Sequence, residues 1–181
     1  MEPKPITCTR RLGGADVYHL RAGIDWCTFI VIDDPARRQF TLAIDGSYGS
    51  YAYTWSHPGS SFHKFLRGLD WHYASKKLTQ GERDVLDPEE TTKEIRRRVC
   101  ELRREKRITA ERAREEWERG HVEDQLSAYE WWNGADSKLF DQAHECIAYK
   151  PGPRFEQCRA MYEKFWKAFA EQLGEEASVA A

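Results

Sequence analysis

No stretch of this chain approaches the roughly 18 consecutive apolar residues that a membrane-spanning helix requires. The N-terminal MEPKPITCTRRLGG has no apolar core of the kind a secretory signal carries. A membrane partner and an export route are therefore not expected, and the expected compartment is the cytoplasm. Cysteine is sparse, odd in number and scattered (Cys8, Cys27, Cys100, Cys146, Cys158), which fits reduced, buried thiols rather than a disulfide framework. There is no C-x-x-C and no H-E-x-x-H, and the one histidine pair at H-x5-H spacing, His57 and His63, has no cysteine pair to accompany it. His144 and Cys146, two apart, would diverge by about 200° around a helix. No metal and no cofactor is expected. The chain also lacks G-x-S-x-G, G-x-G-x-x-G and a P-loop. Gly59-Ser60-Ser61 stands at a strand-to-helix turn, but helix capping accounts for its serines. Cys27 lies mid-strand, where burial leaves a thiol inert. Gly46 and Gly49 flank Tyr48 as a tight turn would demand. No catalytic residue is assigned, and an enzyme is not expected.

What the chain does contain is a globular mixture. Across 181 residues with a formal charge of −2, 40% are hydrophobic and 32% charged, enough for one domain, or a small domain with an appendage. Aromatics reach 13%, with seven tryptophans, a supply that invites a contact face as well as a core.

Periodicity divides the chain near residue 60. Before it the period is two: residues 15–21, 24–33, 39–45 and 51–55 read as three or four antiparallel strands in a meander. In QFTLAID, Phe40, Leu42 and Ile44 fall on one face, Thr41 and Ala43 on the other. After residue 60 the period is helical. Residues 60–78 place Phe62, Leu66, Leu69 and Tyr73 on one face of a single helix, with Phe65 at its edge and Ser60 or Ser61 as cap. Asp87-Pro88-Glu89-Glu90 opens a second helix that runs to about residue 106, and Thr109 caps a third. A helix over 121–132 should stop at Asn133-Gly134 in the left-handed region, and Asp136 should cap another over 137–149. After Pro151-Gly152-Pro153, the last helix carries Phe155, Cys158, Tyr162, Phe165, Trp166, Phe169 and Leu173 on one wide stripe, followed by a frayed tail. The expected class is α+β. Residues 1–80 form a small antiparallel sheet packed on a helix, and residues 81–181 a helical region, separate or continuous with the first.

Three features bear on binding. RRRVCELRREKR (96–107) buries Ile95, Val99 and Leu102, gathers Arg96, Arg103 and Arg107 on one flank with Arg97 and Arg104 beside them, and sets Glu94, Glu101 and Glu105 on the other. Such a strip can track phosphates. It can equally be a solvated or protein-facing helix held by i,i+4 ion pairs, and the slightly acidic chain favours that alternative. DGSYGSYAYTW puts Tyr51, Tyr53 and Trp55 on one strand face and Tyr48 in the turn, which serves either as core or as contact surface. Trp71 points away from the stripe of the 60–78 helix, either covered by later helices or free as an anchor. Trp117, Trp131 and Trp132 pose the same choice, with core favoured for most.

Taken together, IDWCTFIVID, DGSYGSYAYTW, the His-Pro-Gly turn and FHKFLRGLDWHYASKKL resemble a pattern in small, uncharacterised phage and prophage proteins: a hydrophobic strand, Tyr-Gly-x-Tyr-x-Tyr-x-Trp, a Gly-bearing turn, then Phe-Leu and, further on, Tyr and Lys-Leu. The resemblance covers residues 24–78 and leaves the helical remainder unmatched. It implies a context rather than a chemistry. Accessory phage proteins of this size act by binding a host protein, a protein–nucleic acid complex or a nucleic acid, antiviral defence complexes such as CRISPR–Cas included. The leading expectation is a non-enzymatic protein that binds a host macromolecule and blocks it sterically. Tyr48, Tyr51, Tyr53, Trp55, Trp71, Arg96, Arg97, Arg103, Arg104 and Arg107 are the candidate contacts. The alternative is a nucleic-acid-binding module using helix 96–107 with aromatic stacking. A third reading, an enzyme acting on a nucleotide or defence signal, is revived by a cleft on which His57, His63 or Asp45 converge and ended by their dispersal over the surface. No oligomeric state is assigned.

Overall fold

The computed structural model describes residues 10–12, 14–56, 59, 61–136, 139–140 and 143–179. Its first part is a five-stranded antiparallel meander of β1 (Arg10–Leu12), β2 (Ala15–Ala22), β3 (Asp25–Asp34), β4 (Gln39–Gly46) and β5 (Tyr51–Ser56), in sequence order. The period-two pattern fixes the register: Phe29 faces Ile44, Val31 faces Leu42, and Phe40 faces Trp55. A one-residue slip would turn every one of these side chains out of the core. Tyr18, Leu20, Phe29, Val31, Phe40, Leu42 and Ile44 are all buried on one face. The other face carries hydroxyls and exposed groups, with Thr41 and Thr54 hydrogen-bonded across the strands at 2.8 Å. Gly46 ends β4 where a Cβ would lie 2.5 Å from the Trp26 carbonyl oxygen, so the approach of β4 to β3 excludes any side chain there.

The helix expected over 60–78 is two helices, α1 (Phe62–Arg67) and α2 (Trp71–Leu78). Asp70 is the reason. Its carboxylate accepts from the Tyr73 backbone N–H at 3.0 Å, starting a new helix after the Gly68-Leu69 break. The break rotates the second half of the expected stripe. Leu66 and Leu69 are buried, whereas Tyr73 is 39% exposed and Ala74 and Leu78 take the core positions. Ser61 caps α1; Ser60, the other candidate, and the His57-Pro58 corner lie outside the described residues, as does Cys8.

The last helix begins at α6 (Pro153–Met161), passes through one π-helical segment (Tyr162–Trp166) and continues as α7 (Lys167–Val179), past the expected end at Leu173. Phe155, Cys158, Phe165, Trp166, Phe169 and Leu173 are buried, as the stripe predicts, and Tyr162 is half-buried. The π segment was not foreseen. Its extra residue turns consecutive Phe165 and Trp166 both into the core and brings the Tyr162 hydroxyl to the Leu69 carbonyl at 2.9 Å. Phe169 stacks on Phe29 at 4.2 Å and meets Tyr18 edge-on at 5.2 Å.

The chain divides into two compact units that differ from the expected 1–80 and 81–181. Residues 1–83 and 152–181 form one, and residues 84–151 form the other. The last helix belongs with the sheet because its aromatic stripe completes the sheet's core. The second unit enters and leaves through a short antiparallel pair, β6 (Asp84–Leu86) and β7 (Tyr149–Pro151), in which Asp84 faces Pro151. Between them lie α3 (Pro88–Arg104), α4 (Ala110–Arg119), α5 (Gln125–Gly134) and one 3-10 turn at Ala143–Cys146. Asp87 and Thr109 cap α3 and α4 as predicted, and Asp124 with Ser127 builds a capping box on α5. Gly134 remains helical instead of adopting a left-handed conformation, and Ala135 leads the chain away. A helix over 137–149 does not form across the described residues; the 3-10 turn stands in its place, and Ser137, Lys138, Asp141 and Gln142 lie outside them. Ile95, Val99, Leu102, Ile108, Val122, Trp131 and Phe140 make this unit's own core. The architecture is α+β. Among the described residues, no helix is long and apolar enough to cross a membrane.

Candidate functional site

The aromatic stretch that begins at Tyr48 is structural in its central residues. Tyr51 and Trp55 are 3% and 4% exposed, with Trp55 stacked on Phe40 at 5.2 Å, so neither is available to a partner. Burial lifts the Tyr51 hydroxyl to a pKa of about 12, and its proton goes to the Tyr48 carbonyl at 2.6 Å. Tyr53 is half-buried and accepts from the Lys77 ammonium at 3.0 Å. Tyr48 donates to the Asp25 carboxylate at 3.1 Å, and Lys164, carried on the π segment, donates to that carboxylate and to the Tyr48 oxygen. The Lys164 ammonium holds the Asp25 carboxyl below its ordinary pKa. The three groups pin two hairpin ends to the last helix. Trp71 is also covered: half-buried, it lies 5.4 Å from Phe155 and 5.1 Å from Tyr162. His63 stacks on Phe62 at 3.8 Å, Asp45 accepts from Ser50 at 2.6 Å, and His57 lies outside the described residues. Among the described residues no three His, Cys, Asp or Glu side chains gather as a metal site would require.

The arginines of α3 separate into two sets. Arg97 belongs with the acidic flank, donating to Glu94 at 2.8 Å and to Glu101, so its charge is spent along its own helix. Arg107 lies 3.8 Å from Glu105. Arg103 donates to the Ile108 carbonyl at 3.4 Å. Arg96 lays its guanidinium over the ring of Trp117 on α4, 5.0 Å from the centroid. Arg104, and Arg114 on α4, have no carboxylate partner among the described residues.

These last groups surround two open grooves between α3 and α4, of about 440 and 380 Å³, that share Cys100, Arg104 and Trp117. Val99 and Ala113 line the second beside them. Trp117 is 41% exposed, unlike Trp131, which is 2% exposed and core. Trp132 is exposed as well, and forms an edge contact with Tyr129 at 6.5 Å on α5. Cys100 is half-buried, an exception to the expectation of buried thiols that Cys27, Cys146 and Cys158 meet. Arg114 and Cys100 were not singled out in the sequence. The available signal was local: Cys100 has arginines at i−4, i−3, i+3 and i+4 (Arg96, Arg97, Arg103, Arg104), and Arg114 precedes Trp117 by one helical turn.

One comparison with known proteins is decisive. The model of a phage family, Phage_phiTE_072, matches residues 12–175. The chain belongs to this phage family. The match extends the resemblance seen over residues 24–78 through the whole α3–α5 unit and the last helix as far as residue 175, so the arginine-rich unit falls within the family's span. No curated protein and no solved structure matches the chain.

Proposed function

We propose that this phage-family member is a non-enzymatic accessory protein that works in the host cytoplasm. It binds a host macromolecule through the α3–α4 face and occupies it sterically, with antiviral defence complexes such as CRISPR–Cas as the class of target. The observation that carries the proposal is the Arg96–Trp117 stack flanked by Arg104 and Arg114. Arginine and tryptophan are the side chains most enriched at binding hot spots, and here they rim a groove with an apolar floor. A nucleic-acid target is the second reading, favoured by the same two unpaired guanidinium groups. The test is affinity capture from host lysate with the wild-type chain and with Arg104→Glu/Arg114→Glu, quantified by mass spectrometry. A stoichiometric partner captured by the first and lost with the second supports the proposal. Equal capture by both, or no partner, refutes it. A gel shift that disappears in the double variant would transfer the role to nucleic acid.

A further inference from the structure

The chemistry of the grooves points beyond the existence of a partner to its kind. We infer that the α3–α4 face takes an acidic protein segment carrying an apolar anchor, rather than a nucleic-acid backbone. This rests on the reading of that face as the binding surface. Two properties of the site select the occupant. The first is charge. The rim holds Arg96, Arg103, Arg104 and Arg114, while among the residues lining the two grooves the one carboxylate is Glu89, in the first groove. A segment rich in carboxylates complements that rim, and guanidinium groups match carboxylates bidentately. The second is the floor. Ala113, the Cys100 thiol and the exposed part of Trp117, over buried Val99, give an apolar seat in the second groove. A phosphate backbone has nothing to place there. One flat face of Trp117 is already covered by the Arg96 guanidinium, which leaves less ring for a base to stack on. A leucine or phenylalanine fits the seat, flanked by acidic residues that reach Arg104 and Arg114.

The grooves also contain their own reporter. Cys100 lines both, while Cys27, Cys146 and Cys158 are buried, so an occupant shields the one half-buried thiol among the described cysteines.

The experiment uses the full chain and three fluorescein-labelled probes of equal charge: a peptide of glutamates around a central leucine, an all-glutamate peptide and an oligothymidylate. Anisotropy should show the leucine-bearing peptide binding about tenfold or more tighter than either other probe, which corresponds to about 1.4 kcal/mol. Arg104→Glu/Arg114→Glu should weaken it about tenfold or more, and Trp117→Ala should erase the advantage of the leucine. Alkylation of Cys100, followed by peptide mapping, should slow when that peptide is present. Thermal melts of the variants, whose altered side chains are exposed or half-buried, confirm that they are folded. Oligothymidylate binding as tightly as the peptide, peptide affinity unchanged in the double variant, or no probe binding overturns the inference. If lysate capture still depends on Arg104 and Arg114 while the peptide fails, the occupant is wrong and the face is right. If capture is also indifferent to them, both readings fall.

Discussion

Replacing Phe169 by alanine tests whether the last helix completes the core of the sheet. The side chain is fully buried and stacks on Phe29 at 4.2 Å with the rings 7° from parallel. It also meets Tyr18 at 5.2 Å and Trp166 at 5.5 Å, both edge-on. Truncating a buried phenylalanine costs about 3–5 kcal/mol through lost transfer energy and the cavity left behind. Each lost ring pair adds about 0.5–1.5 kcal/mol where the neighbours cannot repack. We expect a loss of about 4 kcal/mol, a large share of the roughly 5–15 kcal/mol that holds a domain folded. Phe169→Leu, which keeps most of the volume, should cost about 1.5 kcal/mol or less. Urea denaturation followed by near-ultraviolet circular dichroism reads the difference, and hydrogen exchange should show faster exchange at the amides of β2–β5. A loss below about 1 kcal/mol for the alanine variant, with β2–β5 protection unchanged, would mean that the helix does not cover the sheet and that the division of the chain is mistaken.

The Asp25–Lys164 pair makes stability depend on pH in a defined direction. Lys164 lowers the folded pKa of Asp25, so its contribution is present above the ordinary carboxylate range near 4 and fades as pH falls through the lower folded value. Melting temperatures between about pH 2 and pH 6 should fall less steeply for Asp25→Asn than for the wild type; parallel profiles would contradict this. Gly120→Ala would set a Cβ 2.4 Å from Ile95 Cγ2 and 3.0 Å from the Glu116 carbonyl oxygen, an overpacking that should cost about 1–3 kcal/mol in a thermal melt. Among the described cysteines, maleimide should modify Cys100 first. Cys27 and Cys158 should react last, since burial raises their thiols to about 12, and mass spectrometry of the digested adduct gives the order.

The sheet was legible because alternation is a local signal. Phe40, Leu42 and Ile44 announce their face without help from any distant residue, and so do the caps Asp87 and Thr109. The split at Asp70 was missed because the apolar spacing runs on through it, and a capping aspartate outweighed that spacing. The return of the last helix was illegible for another reason: its stripe shows that Phe165 and Phe169 need a partner, not which one. The strands β6 and β7, each three residues long, are too short to show a period. At the candidate site the sequence places Arg96, Arg97, Arg103 and Arg104 on α3, but Arg107 lies beyond its end and the division of labour among the others is not visible in it. Arg97 is taken by its own helix, whereas Arg96 depends on Trp117 of the next. Pairing across helices is a tertiary fact, and the grooves exist only because of it.

The pairing of Asp84 with Pro151 makes the arginine-bearing unit a cassette. A segment whose first and last residues stand opposite each other in a ribbon, beside the hydrogen bond from the Gly152 N–H to the Arg83 carbonyl at 2.8 Å, asks little of the scaffold that carries it beyond two adjacent attachment points. If the α3–α4 face binds a partner as proposed, that face can be renewed by exchanging or rewriting residues 84–151, while the sheet and its covering helix retain their aromatic core. Chimaeras joined at this ribbon are the natural unit for engineering such proteins, and sequence divergence within the family should concentrate inside the cassette.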